Sequence, residues 1–529
     1  MRTTAVLLAS IALTGIPSVF AAPTPRPQPE PIVVLPEDSP YRGAAIPLGP
    51  RAIASDLTRD DGTVDLNTTQ LHLKRARTKF TRGLANFRSN TGEAHFLSPD
   101  LVDPSLLPRA PSSPVEAVAA ALTADETVSA SASAGKRRRD KIFGESGIRL
   151  HGVPPSASAP SSSSDAPFAN SRALSRRAVP NPKVIPNPKW TGRSSSGTAA
   201  KSGSVGLTNY GEGTIFYGSL KVGSSAQSFS VNIDTGSADL WLPSASCNSA
   251  ACNAHTKYDP SQSTTSSLVS GKNLNIVYGD GSSTSGVVYT DTVTFGGLTA
   301  TSQALGAATS LSSDFQNDPY DGLVGMAYGS ISTMGVNPLF QTLVSQGQVA
   351  KSQFSTYLAA SGSELFLGGM NSAHFAAGST HWYPVISQGY WTLAAKAAVN
   401  NKVVGSLATF SVIVDTGTSV IVAPTAAAKQ FWAAVPNSAS YGSGGYWTYP
   451  CATPPTVSFS FGGAFAEQWA VSTSALNLGR VSSGSDRCVG AVVGADIGIN
   501  AWILGDSFLQ SVYTTFDLST NQVGFSDLS

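Results

Sequence analysis

Val231-Asn232-Ile233-Asp234-Thr235-Gly236-Ser237 returns later in the chain as Val412-Ile413-Val414-Asp415-Thr416-Gly417-Thr418. Each copy is followed by two apolar residues and a glycine, Leu323-Val324-Gly325 and Ile503-Leu504-Gly505, at intervals of 91 and 90 residues from the aspartate. One Asp-Thr-Gly triplet by itself marks little more than a turn. Two, each ending an apolar run and each followed at nearly equal distance by the same element, predict a duplicated structure whose two lobes contribute one aspartate apiece. Around these runs the chain from about residue 207 reads as short β-type segments separated by Gly, Ser and Asn. Phe229, Val231 and Ile233 alternate with Ser230 and Asn232, the period-2 pattern of a half-buried strand. Helical candidates are few, 338–346 and 426–434, so the expected class is all-β.

A carboxylate at the end of a buried strand is costly unless it is hydrogen-bonded or shares its charge. If the lobes pack about a pseudo-twofold axis, Asp234 and Asp415 meet there. Two carboxylates about 3 Å apart cannot both ionise, and they titrate as a pair holding one proton. The ionised member can take a proton from a water between them while the protonated one polarises a carbonyl, which is general acid–base attack on an amide without metal or covalent intermediate. Thr235 and Thr416 suit cross-lobe bonding. Ser237 and Thr418 suit hydroxyl donation to the carboxylates, and Gly236 and Gly417 let neighbouring groups approach closely.

These residues, with Trp241, Tyr278-Gly279-Asp280-Gly281, Asp321-Gly322-Leu323-Val324-Gly325 and Trp502-Ile503-Leu504-Gly505-Asp506, make residues 207–529 resemble the pepsin-like aspartic peptidases of fungal type over the whole two-lobed unit. The resemblance implies a bilobal β fold around a long cleft, acid endopeptidase activity on proteins and peptides, and inhibition by pepstatin. It makes Asp234 and Asp415 the catalytic pair. Tyr278 becomes the tyrosine of a hairpin flap over the substrate, with Gly279 and Asp280 in the same turn, and Trp241 the residue its hydroxyl bonds. Tyr320 and Leu323 fall near the non-primed side of the cleft. Asp280 in a Gly-Asp-Gly-Ser flap is expected near an entering basic side chain; the plainer reading is a turn support. Two departures are Asn232, where many relatives carry an apolar residue, and Asp239, where animal relatives carry Asn.

Four cysteines allow three pairings. The resemblance implies Cys247–Cys252 and Cys451–Cys488. A Cys₄ zinc site is the alternative, but no C-x-x-C pair is present, and the six histidines include no H-E-x-x-H. No metal and no cofactor is expected. A serine hydrolase is disfavoured because no G-x-S-x-G precedes a helix.

The first third of the chain differs in kind. Residues 1–177 hold 21 Lys+Arg against 16 Asp+Glu, whereas 178–529 hold 13 against 17. Nineteen of the 33 prolines precede residue 178, and all eight tryptophans follow it. Arg2, the apolar residues 5–13 and the small Ala21 and Ala22 predict a secretory signal peptide over 1–21. Residues 22–177 read as a basic, Pro/Ser/Ala-rich propeptide, with 111–135 and 153–175 too poor in apolar residues to offset their ordering entropy. Lys136-Arg137-Arg138-Arg139 and Arg176-Arg177 suit a dibasic-cutting protease. The second pair sits at the composition break and predicts a mature chain of two lobes, 178–378 and 379–529. The stretch 71–88, LHLKRARTKFTRGLANFR, resembles the basic pro-segments of the family, in which a lysine pairs with the dyad; Lys74 or Lys79 could play that part.

The body carries too few basic residues for an extended nucleic-acid face, and no apolar run of about 18 residues for a membrane span. No apolar C-terminal tail for an anchor is present in 524–529. The expectation is a secreted, extracellular, monomeric acid endopeptidase made as a zymogen, with its own propeptide as inhibitor. The competing reading is a catalytically silent relative that uses the cleft for binding, but such proteins lose an aspartate, a flap residue or a hydroxyl neighbour, and all are present here.

Overall fold

The alternation in 229–233 becomes the strand Gln227–Asp234, in which Phe229, Val231 and Ile233 are at most 1% exposed. Its counterpart Phe410–Val414 buries Val412, Ile413 and Val414 in succession, as a strand covered on both faces must. The apolar-apolar-glycine elements explain the long interval. Gly322–Gly325 inserts between Gln227–Asp234, parallel with Ile233 opposite Val324, and Leu240–Pro243, antiparallel with Leu240 opposite Val324. Trp502–Leu504 inserts in the same way between Phe410–Val414 and Ile421–Ala423. The chain therefore leaves each aspartate loop, builds most of a lobe, and returns to wedge a strand beside it. A Cβ at Gly325 would come within 3.0 Å of the Ala238 and Asp239 amides, and one at Gly505 equally close to the Thr418 and Val420 carbonyls. Only glycine fits these crossings.

The computed structural model describes residues 57–59, 61–97, 201–211, 213–277, 283–462 and 467–529. The expected signal peptide, the basic run 136–139, Arg176, Arg177, Tyr278, Gly279 and Asp280 lie outside them. Among the described residues, an eight-stranded sheet carries Asp234 and a second eight-stranded sheet carries the strand leading to Asp415. A four-stranded sheet formed within 439–490 adds to the second lobe. A six-stranded sheet draws Gly203–Gly206, Gln353–Tyr357 and Glu364–Leu367 together with His381–Pro384, Tyr513–Asp517 and Gln522–Ser526. The fold is the expected bilobal, all-β one, and the 378/379 division falls inside this shared sheet. On it Phe354 stacks against Phe516 at 4.7 Å and Trp391 meets Tyr328 at 4.7 Å. The Trp391 indole donates to the Met326 carbonyl at 3.1 Å, while the Met326 amide donates to the carbonyl of Asp234 at 2.8 Å. The floor of the site is thus tied to a fully buried aromatic core.

The expected body helices are Leu339–Ser345 and Thr425–Ala433. Among the described residues the longest helix lies in the leader, the part of the chain before residue 178, and was not among the expected elements: Leu66–Thr91, 26 residues. Its signals are local. Asp65 caps it by accepting from the Asn67 and Thr68 amides at 2.9 and 3.3 Å, and Gly92 ends it at φ 76°. Leu73, Ala76, Phe80, Leu84 and Phe87, three or four residues apart, form its buried face. The basic charge of this stretch masks that period because the cations occupy the positions between.

Candidate active site

The two triplets are built alike. The Gly236 amide donates to Oδ1 of Asp234 at 2.9 Å and the Ser237 hydroxyl to Oδ2 at 2.6 Å. The Gly417 amide donates to Oδ1 of Asp415 at 2.9 Å and the Thr418 hydroxyl to Oδ2 at 2.5 Å. The threonines cross between lobes. Thr235 donates its hydroxyl to the Val414 carbonyl at 2.9 Å and accepts from the Thr416 amide at 3.0 Å. Thr416 reciprocates, donating to the Ile233 carbonyl at 2.7 Å and accepting from the Thr235 amide at 3.1 Å. Each hydroxyl therefore uses both its hydrogen and a lone pair, which fixes the pair in one geometry inside a buried layer. A Cβ on Gly236 would lie within 3.0 Å of the Asp415 carboxylate, and one on Gly417 equally close to that of Asp234. The glycines are what allow two carboxylates to face each other.

Between them lies a cation from the leader. Lys79 Nζ donates to Asp415 Oδ2 at 2.6 Å, to Asp234 Oδ1 at 3.0 Å and to the Gly417 carbonyl at 3.2 Å. Lys74, the other candidate, is exposed. Burial works to lower the Lys79 pKa, but the two carboxylates overcome it and hold it above its ordinary value. The aspartates separate. Burial tends to raise Asp234, yet Lys79 and the Ser237 hydroxyl bring it below the usual carboxylate range. Asp415 is pushed up to about 6 by burial, against Lys79 and with the charge of Asp234 adding to the rise.

Several leader contacts have no counterpart in the sequence reading. The Tyr390 hydroxyl donates to the Phe80 carbonyl at 3.0 Å. The Ser419 hydroxyl donates to the Thr214 carbonyl at 2.6 Å, so at 2.9 Å it accepts from Nδ1 of His72. His95, 1% exposed, accepts from the Leu97 amide at Nδ1 (3.2 Å), which leaves Nε2–H to donate to the Gln388 carbonyl at 3.1 Å. Burial lowers both histidines to about 4. These pairs join residues hundreds of positions apart, which no local pattern records.

Among the other expected residues, Leu323 and Tyr320 line the same cavity as Asp234, as do Trp241 and Asn232. The Trp241 indole N–H is buried with no hydrogen-bond partner among the described residues, and Tyr278 lies outside them. Asp239 is a structural anchor: its carboxylate accepts from the Ser332 hydroxyl at 2.5 Å and the Thr333 amide at 2.7 Å. Asp506, quoted above only as part of a motif, is 1% exposed and raised well above the carboxylate range, first by burial and then by the charge of Asp415. Both of its carboxyl oxygens are buried without a hydrogen-bond partner among the described residues. Cys247–Cys252 and Cys451–Cys488 are the two disulfides. Among the described residues no cluster of His, Cys, Asp and Glu could hold a metal, and no helix is long and apolar enough to cross a membrane.

Residues 215–528 match the family model of the eukaryotic aspartyl proteases. The chain is 45% identical over 330 residues to an aspartic protease of Phaffia rhodozyma, spanning 61% of this chain and 79% of that one. It is 36% identical over 342 residues to pepsin A of Sus scrofa, covering 63% and 86% respectively, and 38% identical over 322 residues to cathepsin E of Rattus norvegicus, covering 58% and 79%. With the two aspartate loops and their interlobe bonds in place, the chain belongs to the eukaryotic aspartyl protease family and is a pepsin-like aspartic endopeptidase.

Proposed function

We propose that this endopeptidase is secreted as a zymogen in which Asp234 and Asp415 are the catalytic pair and the leader helix holds them silent. The observation that carries the reading is Lys79 Nζ, 3.0 and 2.6 Å from the two carboxylates. It occupies the place a nucleophilic water would take. With Lys79 gone, the pair shares one proton. The ionised carboxylate takes a proton from water as its oxygen bonds to the scissile carbon, and the protonated one gives its hydrogen to the carbonyl oxygen. Collapse of the tetrahedral adduct breaks the C–N bond, with a dyad proton passing to the leaving nitrogen. The mature enzyme begins near residue 178, after cleavage at Arg176-Arg177, and acts as a monomer on protein substrates outside the cell.

Acid is the release signal. Asp234, held below its ordinary pKa while Lys79 is bound, stabilises the docked leader at neutral pH, and that contribution is lost as pH falls through its docked value. Asp415, raised to about 6, already takes up a proton nearer neutrality and does not drive release. The histidines add a second trigger. Docked at about 4 against an ordinary 6.5, His72 and His95 leave docking unaffected above 6.5 and oppose it increasingly down to about 4. A protonated His95 would also turn a second N–H against the Leu97 amide that it now accepts from.

The test is to express the precursor, acidify it, and follow cleavage of denatured haemoglobin with and without pepstatin. Pepstatin-sensitive activity that appears only after acidification is expected. Equal neutral-pH activity of the precursor and of the leader-free protein would contradict the zymogen reading.

A further inference from the structure

One helical turn before Lys79, a second leader cation is inserted into the cleft wall. The Arg75 guanidinium donates to Asp318 Oδ1 at 3.4 Å and to the Asp314 carbonyl at 2.9 Å, and its central carbon lies 5.4 Å from the centre of the Phe315 ring. Asp318, Tyr320 and Phe315 belong to the segment leading into the strand Gly322–Gly325, beside the strand that ends at Asp234. Phe315 and Tyr320 line the cavity that reaches Asp234.

The seat is built by the body, not by the leader. Phe315 packs edge-on against Trp241 at 5.7 Å, and its carbonyl accepts from the His255 ring at 2.7 Å. Asp321 anchors the end of the segment, accepting from the Ser230 amide and hydroxyl at 2.8 Å each and from the Thr256 amide at 2.7 Å. The groups offered to an incoming side chain are a carboxylate, a backbone carbonyl and an aromatic face. All three favour a cation, and the apolar walls strengthen them by excluding water. Asn232 lines the same cavity with its side-chain carbonyl buried and without a hydrogen-bond partner among the described residues, a further acceptor. The titratable neighbours of Asp318 are Arg75, Tyr320 and His255.

We propose that Asp318, the Asp314 carbonyl and the Phe315 ring form a substrate pocket of the mature enzyme that selects an Arg or Lys side chain, and that Arg75 fills it in the precursor. The inference rests on the dyad reading above, and spacing fixes the position. Arg75 precedes Lys79 by four helical residues, about 6 Å along the axis, which an extended substrate covers in about two residues at roughly 3.3 Å each. The basic residue is therefore expected about two substrate residues from the scissile bond, whose place Lys79 marks.

The test is cleavage profiling of the mature enzyme across about pH 4 to 7, because burial holds Asp318 above its ordinary value against the pull of Arg75. The peptides carry Arg, Lys, norleucine or Glu at each position around one scissile bond, and active sites are counted by pepstatin titration. We expect Arg over norleucine by about tenfold in kcat/KM at that one position, equivalent to about 1.4 kcal/mol. In Asp318→Asn the ratio falls towards one, and in Asp318→Lys the preference turns to Glu, a gain that misfolding cannot produce. A wild-type enzyme indifferent to basic residues, or an Arg preference unchanged in both variants, overturns the proposal and leaves Arg75 as a leader anchor alone. Absence of any pepstatin-sensitive cleavage would instead overturn the dyad reading on which it rests.

Discussion

The two aspartate loops make the same hydrogen bonds and hold their protons differently. Each carboxylate accepts from the glycine amide two residues on and from a hydroxyl three residues on, and each threonine between them bonds the opposite lobe. Yet Asp234 is held low and Asp415 is raised to about 6. Duplication supplies a symmetric scaffold; the surroundings make it asymmetric. The carboxyl of Asp415 acts on the buried Asp506, whose pKa burial and that charge raise, and Lys79 reaches both aspartates, at 3.0 Å to Asp234 Oδ1 and 2.6 Å to Asp415 Oδ2. Close approach alone makes such a pair hold one proton; the difference in surroundings biases which carboxylate carries it.

The comparison can be broken most severely at the glycines. Gly236→Ala and Gly417→Ala each push a methyl into the opposite carboxylate, and displacing a reacting group by about 1 Å costs on the order of a hundredfold in rate. Both variants should lose at least that in kcat with similar severity, measured on leader-free enzyme; a loss in one lobe alone would mean the carboxylates do not face each other as described. Next come the crossing threonines. Thr235→Val or Thr416→Val strands buried amides and carbonyls, and each should cost about 1–3 kcal/mol in urea unfolding. The two should also be non-additive in the double variant, because each hydroxyl accepts from the backbone amide of the other threonine and losing one loosens the seat of the other.

A smaller effect is expected on release of the leader. His95→Gln keeps a donor for the Gln388 carbonyl and cannot be protonated, so the docked form should persist to lower pH. The activation midpoint should fall by roughly half to one unit; an unmoved midpoint would remove His95 as a trigger. Smallest is the sharpening of the dyad itself. Ser237→Ala and Thr418→Val each remove a hydroxyl that favours the ionised carboxylate, so either should raise an apparent pKa of the pair by about half a unit to one unit. A pH–rate profile that shifts downward in either variant would contradict the bonding described.

Much of this site was legible because duplication writes the same statement twice. Asp234 and Asp415 stood out as strand-ending aspartates with matched downstream glycines, and the residues around them followed from chemistry. The choice between Lys74 and Lys79 was not legible without the helix, since the phase of 66–91 decides which lysine faces the body. The pairing of Arg75 with Asp318, 243 residues apart, and of His72 with Ser419, 347 apart, leaves no trace in local pattern. Asp506 is visible in the sequence as a letter in a motif, but its raised pKa comes first from burial that the packed structure creates.

The most direct test of the dyad is the activity of leader-free Asp234→Asn and Asp415→Asn beside the wild type on one peptide substrate in acid. Both substitutions preserve shape while removing one carboxyl from the shared-proton pair. Each is predicted to lose on the order of a thousandfold or more in kcat, to a similar extent, with folding stability and leader-free mass unchanged. Retention of a tenth or more of wild-type activity by either variant would contradict the two-aspartate mechanism.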